Sequence, residues 1–219
     1  MKIKIDKYVV FGKKRPYEIL VFPDCEYMYV YDARPREDCY EVQGNKDAIR
    51  NIMTATAILA EDPSKIIYFP SKKKDIYGKL NFEFNLVMLR PELQFRRSEW
   101  YKLKARLDKK HWAGKYVLNY NQQKLIDQDK KMKSNWLYPE WEKRSWEIRV
   151  EEELGDTVFW VYTKEMYYDF HGYLAEDMKA FEDEDFEFSW NYIGSSIGDK
   201  FLPEFLEERK ADQRRFEDG

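Results

Sequence analysis

Cysteine and histidine are scarce in this chain of 219 residues, which has two of each. There is no C-x-x-C, no H-E-x-x-H and no pair of histidines at ligand spacing. The common zinc centres are thereby excluded, and neither a metal nor a cofactor is expected. Cys25 and Cys39 could close one disulfide, but a chain of this size does not depend on a single staple. Two free thiols in a reducing cytoplasm are the expectation. A lone histidine such as His171, in Asp169-Phe170-His171-Gly172, is expected as a surface or satisfied core residue. The phosphate loops G-x-x-x-x-G-K-[ST] and G-x-G-x-x-G are both missing, which argues against nucleotide chemistry that uses them.

Glycine and proline are also few, 9 and 8 residues, and no internal period is present, so a linker-rich or repeat architecture is excluded. No stretch approaches the roughly 18 apolar residues of a membrane span. The first residues, Met1-Lys2-Ile3-Lys4-Ile5-Asp6, interleave charge with apolar side chains and lack the apolar run of a signal peptide. A soluble, cytoplasmic protein with no membrane attachment is expected.

Two catalytic patterns tempt the eye. Residues 194–198 read Gly-Ser-Ser-Ile-Gly, a G-x-S-x-G match with Ser196 in the nucleophile slot. The hydrolase order needs a histidine after the serine, yet His111 and His171 both precede it, and Pro203 interrupts the following segment. A small-residue turn ahead of a closing helix is the expectation. Pro23-Asp24 followed by acidic residues faintly resembles a metallonuclease fragment. That chemistry wants an acid and a lysine together on the next strand, and residues 26–32 contain no lysine. No catalytic residue is assigned.

What is abundant is aromatic and charged. Seventeen Tyr, 14 Phe and 7 Trp are far more than a disordered chain carries, so most of the chain is expected to fold. Period-two alternation predicts strands over 2–11, 17–22 and 26–32. Ile49, Ile52, Met53, Thr56, Leu59 and Ala60 repeat at helical spacing behind a capping Asn45. Short strands are predicted at 65–69 and 80–89, the end of the latter apolar on both faces and so buried on both sides. A helix from Ser98 would turn Trp100, Leu103 and Leu107 inward and line up Lys102, Arg106 and Lys109 outward. Residues 119–135 are polar and weakly periodic, and read as a long loop or boundary. Strands near 146–150 and 157–163 flank a turn at Gly155-Asp156. A helix over 164–181, a strand over 185–193 and a helix over 203–216 complete the chain. Strands and helices cluster rather than alternate. The expected class is α+β, a largely antiparallel sheet with two to four helices and room for two small lobes. The lobes would be a net basic one over 1–118 and an acidic one over 146–219, joined by 119–145, with packing as one domain also open.

Charge is segregated along the chain. Residues 1–134 hold 28 Lys+Arg against 18 Asp+Glu, and residues 135–219 hold 10 against 23. The asymmetry narrows to a net +8 stretch over 96–133 and a net −11 stretch over 151–187. Net charge governs association rather than fold, so the split points to a partner. The acidic stretch carries Glu151, Glu152, Glu153, Asp156, Glu165, Asp169, Glu176, Asp177, Glu182, Asp183, Glu184 and Asp185 among aromatic residues. A folded acidic, aromatic face suits a basic protein partner. The first expectation is therefore a non-enzymatic inhibitor of the toxin-immunity or phage anti-defence type. A metal-assisted hydrolase with a carboxylate site is one alternative. A nucleic-acid-binding module is another, with Lys102, Arg106 and Lys109 on phosphates and Trp100, Tyr101, Trp112, Tyr116 and Tyr120 as the stacking aromatics. The basic and acidic stretches could also face each other and cancel within the fold.

Overall fold

The computed structural model describes residues 2–23, 28–34, 39–44, 46–70, 85–135, 150–154, 156–180, 189–191 and 194–196. The strands are β1 (Lys2–Phe11), β2 (Pro16–Val21), β3 (Met28–Arg34), β4 (Cys39–Gly44), β5 (Lys65–Phe69), β6 (Asn85–Leu89), β7 (Trp112–Asn119), β8 (Val150–Leu154), β9 (Thr157–Val161), β10 (Ser189–Asn191) and β11 (Gly194–Ser196). The α-helices are α1 (Lys46–Glu61), α2 (Trp100–Lys104), α3 (Gln122–Asn135) and α4 (Lys164–Ala180), with 3-10 turns at Pro91–Leu93 and Arg97–Glu99.

Seven strands form one sheet in the order β7-β1-β2-β5-β6-β9-β8. Only β2–β5 and β6–β9 pair in parallel, so the sheet is largely antiparallel and the class is α+β, as the clustering of elements implied. Strand β9 from the acidic end of the chain lies beside β6 from the basic end, so both ends contribute to one sheet. A separate four-stranded sheet has the order β10-β11-β4-β3.

The centre of the seven-stranded sheet is apolar on both faces, and every residue of β5 and β6 is buried. On one face α1 and α4 pack over Leu20, Ile67, Leu86, Met88, Val158 and Trp160, with Leu125 of α3 joining them. The carboxyl half of α1 is buried all round, which its Ala and Thr residues permit. Thr54 and Thr56 donate their hydroxyls to the carbonyls of Arg50 and Met53, so their burial leaves no donor unpaired. On the opposite face Trp100 and Leu103 of α2 cap Tyr17, Ile19, Tyr68, Val87 and Phe159. Trp100 meets Tyr68 edge-on at 5.0 Å and Phe159 at 6.1 Å.

Several expectations need correcting. The helix after Ser98 ends at Lys104, so Lys102, Arg106 and Lys109 form no helical ridge. Residues 122–135 are helix, not loop; their polar composition hides a contact with α4 that only packing supplies. Residues 112–119 form a strand that the sequence reading did not contain. Gly194–Ser196 is a short strand beside β10 and β4 rather than a turn, and Ser196 lies opposite Ser189 and Gly44. The predicted closing helix, the amino-terminal part of the 80–89 strand, Asn45 and Cys25 fall outside the described residues.

A candidate polyanion-binding face on β1 and β7

The β1–β7 end of the sheet has one covered face and one open one. Odd residues of β1 turn toward the helices: Ile3 and Ile5 pack there with Leu118 and Tyr116 of β7. Even residues turn to the α2 side, because Tyr8 and Val10 lie opposite Ile19 and Tyr17 of the α2-side cluster. Helix α2 is only five residues long and covers the sheet centre. The row Lys2, Lys4, Asp6, Tyr8 on β1, with Lys115 and Val117 on β7, is left beyond its edge. Lys2, Lys4 and Lys115 are exposed, and Val117 keeps 48% of its surface in solvent.

Trp112 reaches this face by a bulge. From Lys115 onward β7 follows strict alternation, which would put Trp112 on the helix side with Tyr116 and Leu118. Between the pairs Asp6↔Lys115 and Tyr8↔Trp112, however, β7 spends one residue more than β1. Gly114, at φ +100°, sits in that interval, a backbone conformation that side chains disfavour. The extra residue flips the register and sends Trp112 to the open face. There its Nε1–H donates to Asp6 Oδ1 at 2.8 Å while half of the residue stays exposed.

Asp6 is the acid within the row, and it is already engaged. Lys115 Nζ lies 2.8 Å from the same Oδ1. The hydrogen bond from Lys115 holds the Asp6 carboxyl below the usual range, helped by Trp112 and opposed by slight burial. Its charge is therefore spent on Lys115 and on fixing the indole edge.

The loop after α2 extends the basic surface past the end of β1. Arg106 Nη1 donates to the Phe11 carbonyl at 2.8 Å, and the His111 carbonyl accepts from Val9 N–H at 3.0 Å. Asp108 Oδ1 accepts from Lys110 N–H and lies 2.8 Å from His111 Nδ1, closing the turn. These bonds bring Lys109 and Lys110 to the exposed Phe11, next to the β1–β2 turn with Lys13, Lys14 and Arg15. The fold thus adds Lys2, Lys4, Tyr8, Lys13, Lys14 and Arg15, remote in sequence, to the basic stretch at 96–133. The Lys2-Ile3-Lys4-Ile5-Asp6 alternation hinted at a solvated face but not at its neighbours. Lys102 is exposed on α2.

The acidic residues are distributed differently. Glu151, Glu152 and Glu153 lie on β8, the outermost strand of the sheet order at the opposite edge. Six strand spacings separate β8 from β7, roughly 30 Å. Asp156 Oδ2 forms an ion pair with Lys104 at 2.8 Å, and its Oδ1 accepts from Thr157. The two charged stretches meet at this pair. Asp169 is buried in α4, and Glu165 is half-buried in its first turn. Glu176 and Asp177 also lie on α4, whereas Glu182, Asp183, Glu184 and Asp185 are outside the described residues. Of the acidic residues whose side chains are described, Asp156 is paired, Asp169 is buried and Glu165 is half-buried.

One buried polar group stands apart. His171 has no exposed surface, and its Nε2 lies 2.6 Å from the Tyr120 hydroxyl. Burial lowers the imidazole pKa to about 4 and raises that of the Tyr120 phenol. The neutral ring and the Tyr120 hydroxyl thus share one hydrogen bond at Nε2. Among the described residues no group of three or more His, Cys, Asp or Glu could hold a metal, and no helix is long and apolar enough to cross a membrane. Compared with protein-family models, curated proteins and solved structures, the chain matches none of them.

Proposed function

We propose that this protein is a binding module that takes an anionic polymer on the open β1–β7 face. The observation that carries the reading is the Gly114 bulge, which sets an exposed Trp112 beside Lys2, Lys4 and Lys115 on an uncovered sheet. Lys2 and Lys4 supply sequence-independent attraction to phosphate or sulfate, while Asp6 and Lys115 offset each other. The remote acidic edge does not cancel that attraction. Roughly 30 Å exceeds the Debye length of about 8 Å at physiological ionic strength.

The test is retention on a heparin column at low salt. The chain carries a formal net charge of −3, so retention requires a segregated positive surface. Wild type is expected to bind and to elute with rising salt, and the triple variant K2E/K4E/K115E to flow through. Flow-through of the wild type at low salt would overturn the reading.

A second reading rests on β8. Three consecutive glutamates on the outermost strand suit a basic protein partner, as an inhibitor of a cationic toxin or nucleic-acid enzyme would need. It requires that a partner captured at low salt be lost on E151K/E152K/E153K reversal, and capture unaffected by that reversal would refute it.

A further inference from the structure

We infer that the polymer held by the β1–β7 face is a single-stranded nucleic acid, one base of which stacks on Trp112. The inference rests on the polyanion reading above and narrows it to a ligand class. Charge alone would serve a sulfated polysaccharide or a polyphosphate equally well. Polyphosphate has no flat apolar surface to offer, and the pyranose rings of a sulfated polysaccharide offer only C–H faces flanked by hydroxyl and sulfate groups, so neither matches an exposed indole as a base does. A nucleic-acid duplex keeps its base faces within its own stack. A single strand presents both phosphates and free base faces, and bases stack on aromatic side chains whatever their identity.

The geometry around Trp112 suits stacking. Its one polar atom is bound to Asp6 at 2.8 Å, so the indole is held by its edge and its remaining surface is apolar. Holding the ring in advance removes part of the ordering cost that binding would otherwise bear. Tyr8 lies opposite Trp112 and Val117 lies opposite Lys4, giving a strip in which apolar and cationic groups alternate along two strands. Phe11 is an odd residue of β1 and belongs to the other face, so the strip ends at Tyr8 and Trp112. Asp6 is a positioning residue here, for it touches the indole and not the ligand.

The experiment is fluorescence anisotropy on the full chain at low salt. The labelled ligands are oligo-dT and oligo-rU of about 12 nucleotides, a site size within the range of single-strand binders. A duplex of equal length and inorganic polyphosphate serve as competitors. The strands are expected to bind, and the duplex and polyphosphate to compete poorly. The tighter of the two strands identifies DNA or RNA as the natural class. Trp112→Ala should weaken strand binding roughly 5- to 150-fold, the span of one lost stacking contact, while Trp112→Phe retains most of it. Neither should change polyphosphate affinity. The salt slope for a strand should fall between about −2 and −3.5, corresponding to three to five neutralised phosphates. Asp6→Ala separates positioning from charge: it should weaken the strand and leave polyphosphate equal or tighter, because a negative charge is removed. If polyphosphate and duplex compete as well as the strand, and Trp112→Ala changes nothing, this inference fails while the polyanion reading stands. If neither strands nor polyphosphate bind, the polyanion reading itself fails.

Discussion

Burial of His171 makes stability depend on pH in a way that can be worked out from the structure. The imidazole has no exposed surface, and its pKa falls to about 4. In the unfolded chain it titrates at its ordinary value near 6.5. Above about pH 6.5 both states hold the neutral ring, and the histidine contributes its full share to stability. Between about 6.5 and 4 the unfolded chain takes up a proton that the folded protein refuses, so stability falls as pH falls. Near pH 5 the difference is close to one proton, or about 1.2 kcal/mol per pH unit. Across the whole window the loss is about 3 kcal/mol, a large fraction of a typical domain's total. Carboxylates held below their usual range, such as Asp6, act in the same direction at lower pH and must be separated from it. His171→Gln does this, because its amide can donate to or accept from the Tyr120 hydroxyl but carries no titrating group. Urea unfolding of both proteins at pH 7.5, 6.0, 5.0 and 4.5 supplies the comparison; the variant's neutral-pH stability is not at issue, only its slope. Wild type should lose about 2.5 kcal/mol more than the variant between pH 7.5 and 4.5. Equal slopes would refute the argument that the ring stays neutral in the folded protein.

Two further substitutions test the packing. Gly172 of α4 faces α3, and a Cβ there would stand 3.0 Å from Asp129 Oδ2. Gly172→Ala should therefore fail to deliver the roughly 1 kcal/mol that helix propensity alone offers, and in an Asp129→Ser background that gain should return. Thermal melts of the four proteins in the cycle decide it, and a gain already present in the single variant would show that Asp129 yields easily. Trp100 and Trp112 contrast the covered and the open parts of one sheet face: Trp100→Ala should cost about 3–5 kcal/mol by denaturant unfolding, and Trp112→Ala no more than about 1 kcal/mol. Comparable losses would mean that Trp112 is part of the core and not of a binding face.

The elements that could be read from the sequence are those whose period is strong and uninterrupted. Helix α1 is legible because Ile49, Ile52, Met53, Thr56, Leu59 and Ala60 repeat at helical spacing, and all six are buried. Strand β6 is legible because its run is apolar on both faces and it sits at the sheet centre. Helix α3 is not, since among its described side chains Leu125 is the one buried apolar residue and its helical state is stabilised by contact with α4. Strand β7 is not, because the extra residue at its bulge breaks the alternation that would announce it. The candidate face was half legible. Trp112 lay in the basic, aromatic stretch 96–133 as one of five aromatics, with nothing to separate it from Trp100, which is buried. Lys2, Lys4 and Tyr8 joined them only when β1 paired with β7, more than a hundred positions away.

Charge follows the same division. Segregation of basic and acidic residues is a property of the sequence, as are the local periods, for both need only neighbouring residues to be defined. Whether the two stretches would cancel was left open by the sequence. Strand order puts β7 and β8 at opposite edges, while Lys104 pairs with Asp156 and α3 packs on α4, so the stretches part at the sheet edges and meet elsewhere. Strand order is settled by which apolar faces bury one another across the whole chain, a long-range outcome that local pattern does not encode. The orientation of Trp112 belongs to the same level: one residue of register, fixed by pairing, turned it from the core side to the open face.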